Sequence, residues 1–152
     1  MEPPPSPHRC WWDASDDGSE YRGWEVSREQ LRALCARQGR VGLLGFSQGA
    51  IAATALAALH AHGQFPRLDF AILIAGRVPR ATVFAPLLRA PLQLPSLHIW
   101  GERDTGAVQA APSLVAAFDA AARETATWPG PHTVPQRGPA ADAIVKFIER
   151  FS

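Results

Sequence analysis

The sequence lacks several features that would assign it to a class at once. It has only two cysteines, Cys10 and Cys35, and their spacing matches neither a metal site nor a CxxC redox motif. Free thiols are therefore favoured over a disulfide. The sequence contains no cluster of metal-ligating residues and no glycine-rich phosphate loop, so it implies neither a metal nor another cofactor.

An excess of charge and long apolar runs are also missing. Lys146 is the single lysine, and the formal net charge is only +1, which leaves no basic surface for nucleic acid or an anionic membrane. No apolar run reaches the roughly 18 residues of a membrane span. The proline-rich start, residues 1–7, lacks the apolar core of a signal peptide. We therefore predict a cytoplasmic protein that binds neither nucleic acid nor membrane.

What is present is the composition of an ordinary globular domain. The chain has 152 residues, of which 47% are hydrophobic and 19% charged, enough for one domain with its own core. Residues 1–20 are rich in Pro, Asp and Ser and predict an irregular segment, whereas residues 21–152 predict the folded domain. Trp11 and Trp12 stand out in the first segment. Packing on the domain is favoured for them over lining a ligand cleft, which stays the alternative.

Helix and strand patterns alternate from residue 23 onwards. Apolar spacing at helical period predicts helices over about 23–38, 48–62, 113–123 and 140–151. Short apolar or extended runs predict strands over about 41–45, 70–75, 97–100 and 125–128. This alternation predicts an α/β fold in three layers, in which a parallel sheet of about four strands has helices on both faces.

The most informative stretch is Gly45–Gly49, which reads Gly-Phe-Ser-Gln-Gly and fits the Gly-x-Ser-x-Gly pattern of a nucleophile elbow. It lies between a predicted buried strand and a predicted alanine-rich helix, the surroundings that such a turn requires. Glycine is expected on both sides of the serine because a Cβ there would clash across the turn. Ser47 is the candidate nucleophile, and the backbone N–H of Gln48 is the candidate oxyanion donor.

An activated serine needs a base and a third group that orients the base. In α/β-hydrolases these follow the serine in the order acid, then histidine, on loops after later strands. Asp104 follows the strand that ends near Gly101, and His132 lies in a proline-braced loop before the last helix. We predict that His132 accepts the Ser47 proton and that Asp104 fixes the imidazole.

Other residues compete for these two roles. Glu102 is the nearest rival to Asp104, whereas Asp69 begins a strand at its wrong end. The four other histidines are weaker candidates, because they lie in the irregular tail, at a helix end or inside a buried strand: His8, His60, His62 and His98. If these residues have no catalytic role, Asp104 is a solvated loop carboxylate and His132 is a surface loop histidine.

Several blocks of this sequence resemble those of the FSH serine hydrolases, and the likeness covers essentially the whole chain. The blocks that carry it are Leu43–Ala50, Pro95–Asp104, Gly130–Pro135, and the Trp11-Trp12 and Tyr21-x-Gly23 segment. The resemblance implies an α/β-hydrolase fold and hydrolysis of carboxylic esters. It also implies a triad on Ser47, Asp104 and His132.

Two departures from the family pattern bear on activity. Pro131 stands where a glycine usually precedes the histidine. The chain also lacks the strand and Gly-containing loop with which the family usually begins, and that loop donates the second oxyanion N–H. Losing one such donor costs about 10²–10³ in turnover. We therefore expect a sheet without its usual first strands, whose unpaired edge would allow self-association.

Two interpretations follow from the sequence. In the first, the chain is a serine hydrolase that cleaves small-molecule carboxylic esters through a Ser-His-Asp triad and an acyl-enzyme. In the second, it is a truncated and catalytically impaired relative that acts as a binding or regulatory module. The sequence does not identify the ester, because esters, thioesters and lactones share this machinery.

Overall fold

The computed structural model describes residues 9–152; residues 1–8, which include His8, lie outside the described range. A four-stranded parallel sheet forms its centre. The elements follow one another as β1 (Asp13–Ala14), β2 (Tyr21–Arg22), α1 (Trp24–Ala36), β3 (Gly42–Phe46), α2 (Gln48–Ala61), β4 (Phe70–Ile74), a 3₁₀ helix (Thr82–Leu88), β5 (Ser96–Gly101), α3 (Thr105–Ala116), β6 (Arg123–Trp128) and α4 (Pro139–Glu149).

The large sheet has the strand order β3-β4-β5-β6. β3 pairs with β4 in parallel from Gly42 opposite Phe70 to Phe46 opposite Ile74, and the other pairs are also parallel. Because the strands run in the same direction, their carboxyl ends meet at one edge of the sheet. β3 is a terminal strand, and no residue within 9–152 pairs with its outer side.

Helices cover both faces of the sheet, which confirms the predicted three-layer α/β fold. Side chains alternate along β4, so that Ala71 and Leu73 join the core cluster that includes α1 and α2. Ile72 and Ile74 join the opposite cluster, which includes Phe147 of α4. The sheet is thereby packed between two apolar layers, one on each face.

The third α-helix was predicted in the wrong place. The sequence predicts it over about 113–123, whereas α3 spans Thr105–Ala116 and the chain then turns into β6. Gly106 and Pro112 argue against a helix in that region. However, Asp104 caps the helix by accepting a hydrogen bond from the Ala107 N–H, and one helix face is buried. The cap and the burial outweigh the two helix breakers.

The segment before α1 contains a small antiparallel pair rather than irregular chain alone. In this pair Asp13 lies opposite Arg22. Trp12 is 5% exposed and stacks on Tyr21, with the ring centroids 4.4 Å apart. Trp11 is 38% exposed. Trp12 therefore packs on the domain, and the division of the chain at residue 20 stays a prediction.

Within residues 9–152, no helix combines the length and apolar character needed to cross a membrane. No group of three or more metal-ligating side chains comes together among these residues. Cys10 and Cys35 are both free. The cytoplasmic location stays a prediction.

Candidate active site

Ser47 lies in the tight turn between β3 and α2. Its backbone has φ 55° and ψ −117°, a strained conformation that clusters at functional sites. The Ser47 N–H donates to the Ile74 carbonyl at 2.9 Å, which ties the turn to β4. A Cβ on Gly45 would overlap the Gly49 carbonyl oxygen, so glycine is required there. At Gly49 the expected clash is absent, because a Cβ would meet only Trp11 Nε1 at 3.7 Å, an ordinary contact.

Ser47, His132 and Asp104 come together at the carboxyl edge of the sheet. His132 Nε2 lies 3.0 Å from Ser47 Oγ, and His132 Nδ1 lies 2.5 Å from Asp104 Oδ2. The Asp104 side chain is 10% exposed and that of His132 is 49% exposed. The three side chains therefore form one hydrogen-bonded chain that leads from a nearly buried carboxylate to a serine hydroxyl.

Asp104 is held by a second contact as well. Its Oδ1 accepts a hydrogen bond from the Ala107 N–H at 3.2 Å, in the first turn of α3, where the helix dipole favours a negative charge. Of the rival acids, Glu102 accepts a hydrogen bond from Thr127 Oγ1 at 3.1 Å and thus binds to β6. Asp69 accepts from the Val41 N–H at the opposite end of the sheet. The described structure therefore brings Asp104, and neither rival, to His132.

The loop that carries His132 is tied to the segment just before Asp104. The N–H groups of Glu102 and Arg103 donate to the carbonyls of Trp128 and Gly130 at 2.8 and 3.0 Å. A Cβ on Gly101 would overlap the Gly130 carbonyl oxygen, so the close approach of the two segments requires glycine. Contacts between distant parts of the chain thus position the imidazole.

Two of the other described histidines, His98 and His62, have structural surroundings. His98 is 1% exposed inside β5, and its Nε2 lies 2.9 Å from Ser96 Oγ. Burial, with a smaller contribution from the charge of Arg123, lowers the pKa of His98 to about 4. His62 Nε2 lies 3.0 Å from the Leu87 carbonyl oxygen. These contacts account for His98 and His62 without a catalytic role.

Sequence reasoning missed the side chain of Gln48. Its Oε1 accepts a hydrogen bond from the Trp11 N–H at 2.7 Å, and its Nε2 donates to the Trp12 carbonyl at 3.0 Å. The amide therefore holds the Trp11–Trp12 segment across the start of α2. No local pattern could have predicted this contact, because the partners are more than thirty residues apart in the chain.

Two cavities flank the hydrogen bond between Ser47 and His132. The smaller, of about 270 Å³, includes Ser47 in its lining, and the larger, of about 920 Å³, includes His132. The smaller is lined by Trp12, Ala14, Gly18, Tyr21, Ser47, Gln48, Ile51, Arg77 and Arg80. The larger is lined mainly by Phe46, the 127–134 segment and the 136–140 segment. Ser47 and His132 thus line different cavities, although a hydrogen bond joins their side chains.

Comparison with solved structures shows that this chain shares its fold with two crystal structures. The crystal structure of esterase PE8 superposes with a TM-score of 0.60 at 24% identity, covering 93% of this chain and 70% of that one. The crystal structure of Arabidopsis thaliana SOBER1 superposes with a TM-score of 0.61 at 18% identity, covering 93% and 73%.

The chain belongs to the FSH1 serine hydrolase family, whose family model matches residues 2–144. In an alignment of 165 positions it is 33% identical to the esterase OVCA2 of Bos taurus, and the alignment covers 99% of this chain and 71% of that protein. In an alignment of 163 positions it is likewise 33% identical to the esterase OVCA2 of Homo sapiens, with the same coverage. The family resemblance predicted from the sequence is confirmed, and with it the class of serine hydrolase.

Proposed function

We propose that this chain is a carboxylesterase that uses Ser47 as nucleophile, His132 as general base and Asp104 as the group that orients the base. The observation that carries the proposal is the pair of hydrogen bonds at His132, 3.0 Å to Ser47 Oγ and 2.5 Å to Asp104 Oδ2. This is the geometry by which such triads are recognised. The esterase relatives support the same conclusion.

In the first half of the reaction Ser47 Oγ attacks the acyl carbon of the ester while His132 Nε2 takes its proton. The imidazolium that forms lies beside the Asp104 carboxylate, which stabilises it. The negative charge that develops on the carbonyl oxygen meets the Gln48 N–H at the positive end of α2. The carbon–oxygen bond to the leaving alcohol then breaks, and the imidazolium returns the proton to that alcohol.

In the second half, water attacks the acyl group on Ser47 and His132 again takes the proton. The acid product leaves as the proton returns to Ser47 Oγ, which restores the enzyme. A water molecule can reach the imidazole because the His132 side chain is 49% exposed. The nucleophile elbow, the base and the orienting acid thus have roles in both halves of the cycle.

A fluorophosphonate probe tests this proposal directly. An activated serine attacks the phosphorus and displaces fluoride, so we expect one label, mapped to Ser47 by mass spectrometry of the digested protein. Ser47→Ala should show no label and no ester hydrolysis above the uncatalysed rate. Equal labelling of the two proteins, or a label elsewhere, would contradict the proposal.

A second candidate function, binding through the edge of the sheet, is favoured by the position of β3 as a terminal strand. Within residues 9–152 nothing pairs with its outer side, and Leu44 on this strand is 54% exposed. Free backbone groups on an edge strand act as a template for another strand. We propose that two copies of the chain associate there, whether or not the chain turns over esters.

Sedimentation velocity over a range of concentrations tests the association. Leu44→Lys should shift the equilibrium toward monomer, whereas Leu34→Lys on α1, where the side chain is 60% exposed, should not. Identical sedimentation of these two variants would rule out the edge as the contact.

A further inference from the structure

The smaller cavity, which Ser47 lines, is also lined by two arginines, Arg77 and Arg80. Both side chains belong to exposed residues. The ion pairs found within residues 9–152 involve other arginines or His132, so neither guanidinium forms an ion pair with a described carboxylate. Two uncompensated cations therefore share a small space with the proposed nucleophile.

Arg80 is held in position rather than free in solvent. Its Nη2 donates to the Asp17 carbonyl at 3.0 Å, and its backbone N–H donates to Tyr21 Oη at 2.7 Å. Its guanidinium also lies against Gly18, where a Cβ would come within 3.1 Å of the Arg80 Cζ. A guanidinium has five N–H donors, and the contact with Asp17 uses one of them. The others remain for a ligand.

Asp17, whose backbone carbonyl contacts Arg80, uses its carboxylate within its own turn. The Asp17 carboxylate accepts hydrogen bonds from the Ser15 hydroxyl and from the N–H and hydroxyl of Ser19. These bonds lower the pKa of Asp17 to about 2. The carboxylate therefore serves its own turn and makes no ion pair with Arg80.

Arg77 follows β4 at the carboxyl edge of the sheet, close to Asp104. A point at the Cβ position of Gly106 would lie 3.9 Å from Arg77 Nη2 and 3.8 Å from Asp104 Oδ1. The two groups are neighbours but form no ion pair. Both Asp104 oxygens already accept hydrogen bonds, from the Ala107 N–H and from His132. Arg77 thus keeps its donors for another anion.

The two cavities indicate which half of an ester meets these arginines. In the proposed function, on which this step rests, His132 must protonate the leaving alcohol, so the alcohol lies on the His132 side. His132 lines the larger cavity, whereas Ser47, Gln48 and the two arginines line the smaller one. The acyl half of the ester therefore occupies the arginine cavity.

We propose that the acyl group of the substrate carries a carboxylate, so that the substrates are half-esters of short dicarboxylic acids. Arginine binds carboxylates through paired, charge-assisted hydrogen bonds, and Trp12 and Ile51 supply apolar walls for the methylene chain. The volume of about 270 Å³ lies just below the roughly 300–1,000 Å³ of sites for drug-sized ligands. It therefore suits a short acyl chain.

The test compares ethyl hydrogen glutarate with ethyl pentanoate, which have acyl chains of equal length and differ in the terminal carboxylate. Release of ethanol gives kcat/KM for each, with the rate of Ser47→Ala subtracted as background. We expect the intact protein to prefer the half-ester. Arg77→Gln and Arg80→Gln should each lower the ratio of the two kcat/KM values by about tenfold, the effect of losing one hydrogen bond to a charged group.

Two controls accompany these variants. Arg37→Gln removes the same charge at the C-terminal end of α1, away from the site, and should keep the ratio. Arg80→Lys keeps the charge and should retain more of the preference than Arg80→Gln. Added salt should reduce the preference, because these guanidinium groups are exposed to solvent.

The outcomes separate this inference from the proposed function. If ethyl pentanoate is cleaved in a Ser47-dependent way while the half-ester is not preferred, the esterase stands and the anionic substrate class is wrong. An unchanged ratio in both glutamine variants would also overturn the inference. If neither ester is cleaved faster than by Ser47→Ala, both proposals fall.

Discussion

The two sides of the hydrogen bond between Ser47 and His132 are built in different ways. Ser47 sits in a strained turn between a strand and a buried helix, and its backbone is bonded to the neighbouring strand. His132 is half exposed on a loop, and contacts with the Gly101–Arg103 segment hold that loop. The proposed nucleophile thus depends mainly on a local turn motif, with one hydrogen bond to β4, whereas the proposed base depends on contacts with a distant segment.

The largest effect should follow from removing the imidazole itself. His132→Ala should lower kcat for ester hydrolysis by about 10⁴-fold or more, as losses of a catalytic base do. Because the variant leaves the nearly buried Asp104 carboxylate without its imidazole partner, the free energy of unfolding should fall by about 1–3 kcal/mol. Ester turnover and urea unfolding measure the two quantities. His60→Ala, at the end of α2, is the control and should keep full turnover; similar turnover in both variants would contradict the role of His132.

A substitution at Gly45 should disrupt the turn that carries Ser47. Gly45→Ala places a methyl group on the Gly49 carbonyl oxygen, so the turn must open. We expect about 10²-fold lower turnover, the cost of a displacement of about 1 Å at a reacting group, and a loss of about 2–4 kcal/mol in unfolding free energy.

Gly49→Ala is the matched control for the turn. Its Cβ would make only an ordinary contact with Trp11, and alanine is the better helix former. This variant should therefore fold at least as stably as the parent. If both glycine variants behave alike, the steric account of the turn is wrong.

A substitution at Gly101, next to the loop that carries His132, should lower turnover less than a substitution at Gly45. Gly101→Ala would press on the buried Gly130 carbonyl oxygen. Residues 131–133, which follow, are exposed, so this loop can shift to relieve the overlap more easily than the turn between β3 and α2. We expect roughly tenfold lower turnover, less than the 10²-fold displacement cost at a rigid site. Fluorophosphonate labelling and ester hydrolysis should fall together. Gly39→Ala, where a Cβ would meet open space, should leave both unchanged, and a Gly101→Ala effect as large as that of Gly45→Ala would remove the contrast between the two sides.

The same contrast explains how far the sequence could predict the structure. The Gly45–Gly49 motif and the alternation of strands and helices are local patterns, and they predicted the turn and the parallel sheet. The α3 helix was misplaced because a cap at Asp104 and burial on one face overcame Pro112. The bridge from Gln48 to Trp11 and Trp12 had no local signal. Burial in the tertiary structure, together with a local cap, decided the first, and contacts between distant residues decided the second.

Turnover at neutral pH should be least sensitive to His98, although the stability of the protein depends on this residue. In the folded chain burial lowers the pKa of His98 to about 4, from an ordinary value of 6.5. Between these values the unfolded chain binds a proton that the folded chain does not. The free energy of unfolding should therefore be highest above about pH 6.5 and fall toward pH 4, by about 3 kcal/mol in total.

His98→Gln tests this pH dependence, because glutamine does not titrate. Urea unfolding between pH 7 and 4 should show a shallower decline for this variant than for the parent, with the difference confined to that window. The carboxyl groups with lowered pKa values are present in both proteins, so their effects cancel in this comparison: Asp17, Glu29, Asp69 and Asp119. His60→Gln, at the end of α2, should keep the parental slope. Equal slopes in the parent and His98→Gln would mean that the pKa of His98 is the same in the folded and unfolded chains, and that burial in β5 does not lower it.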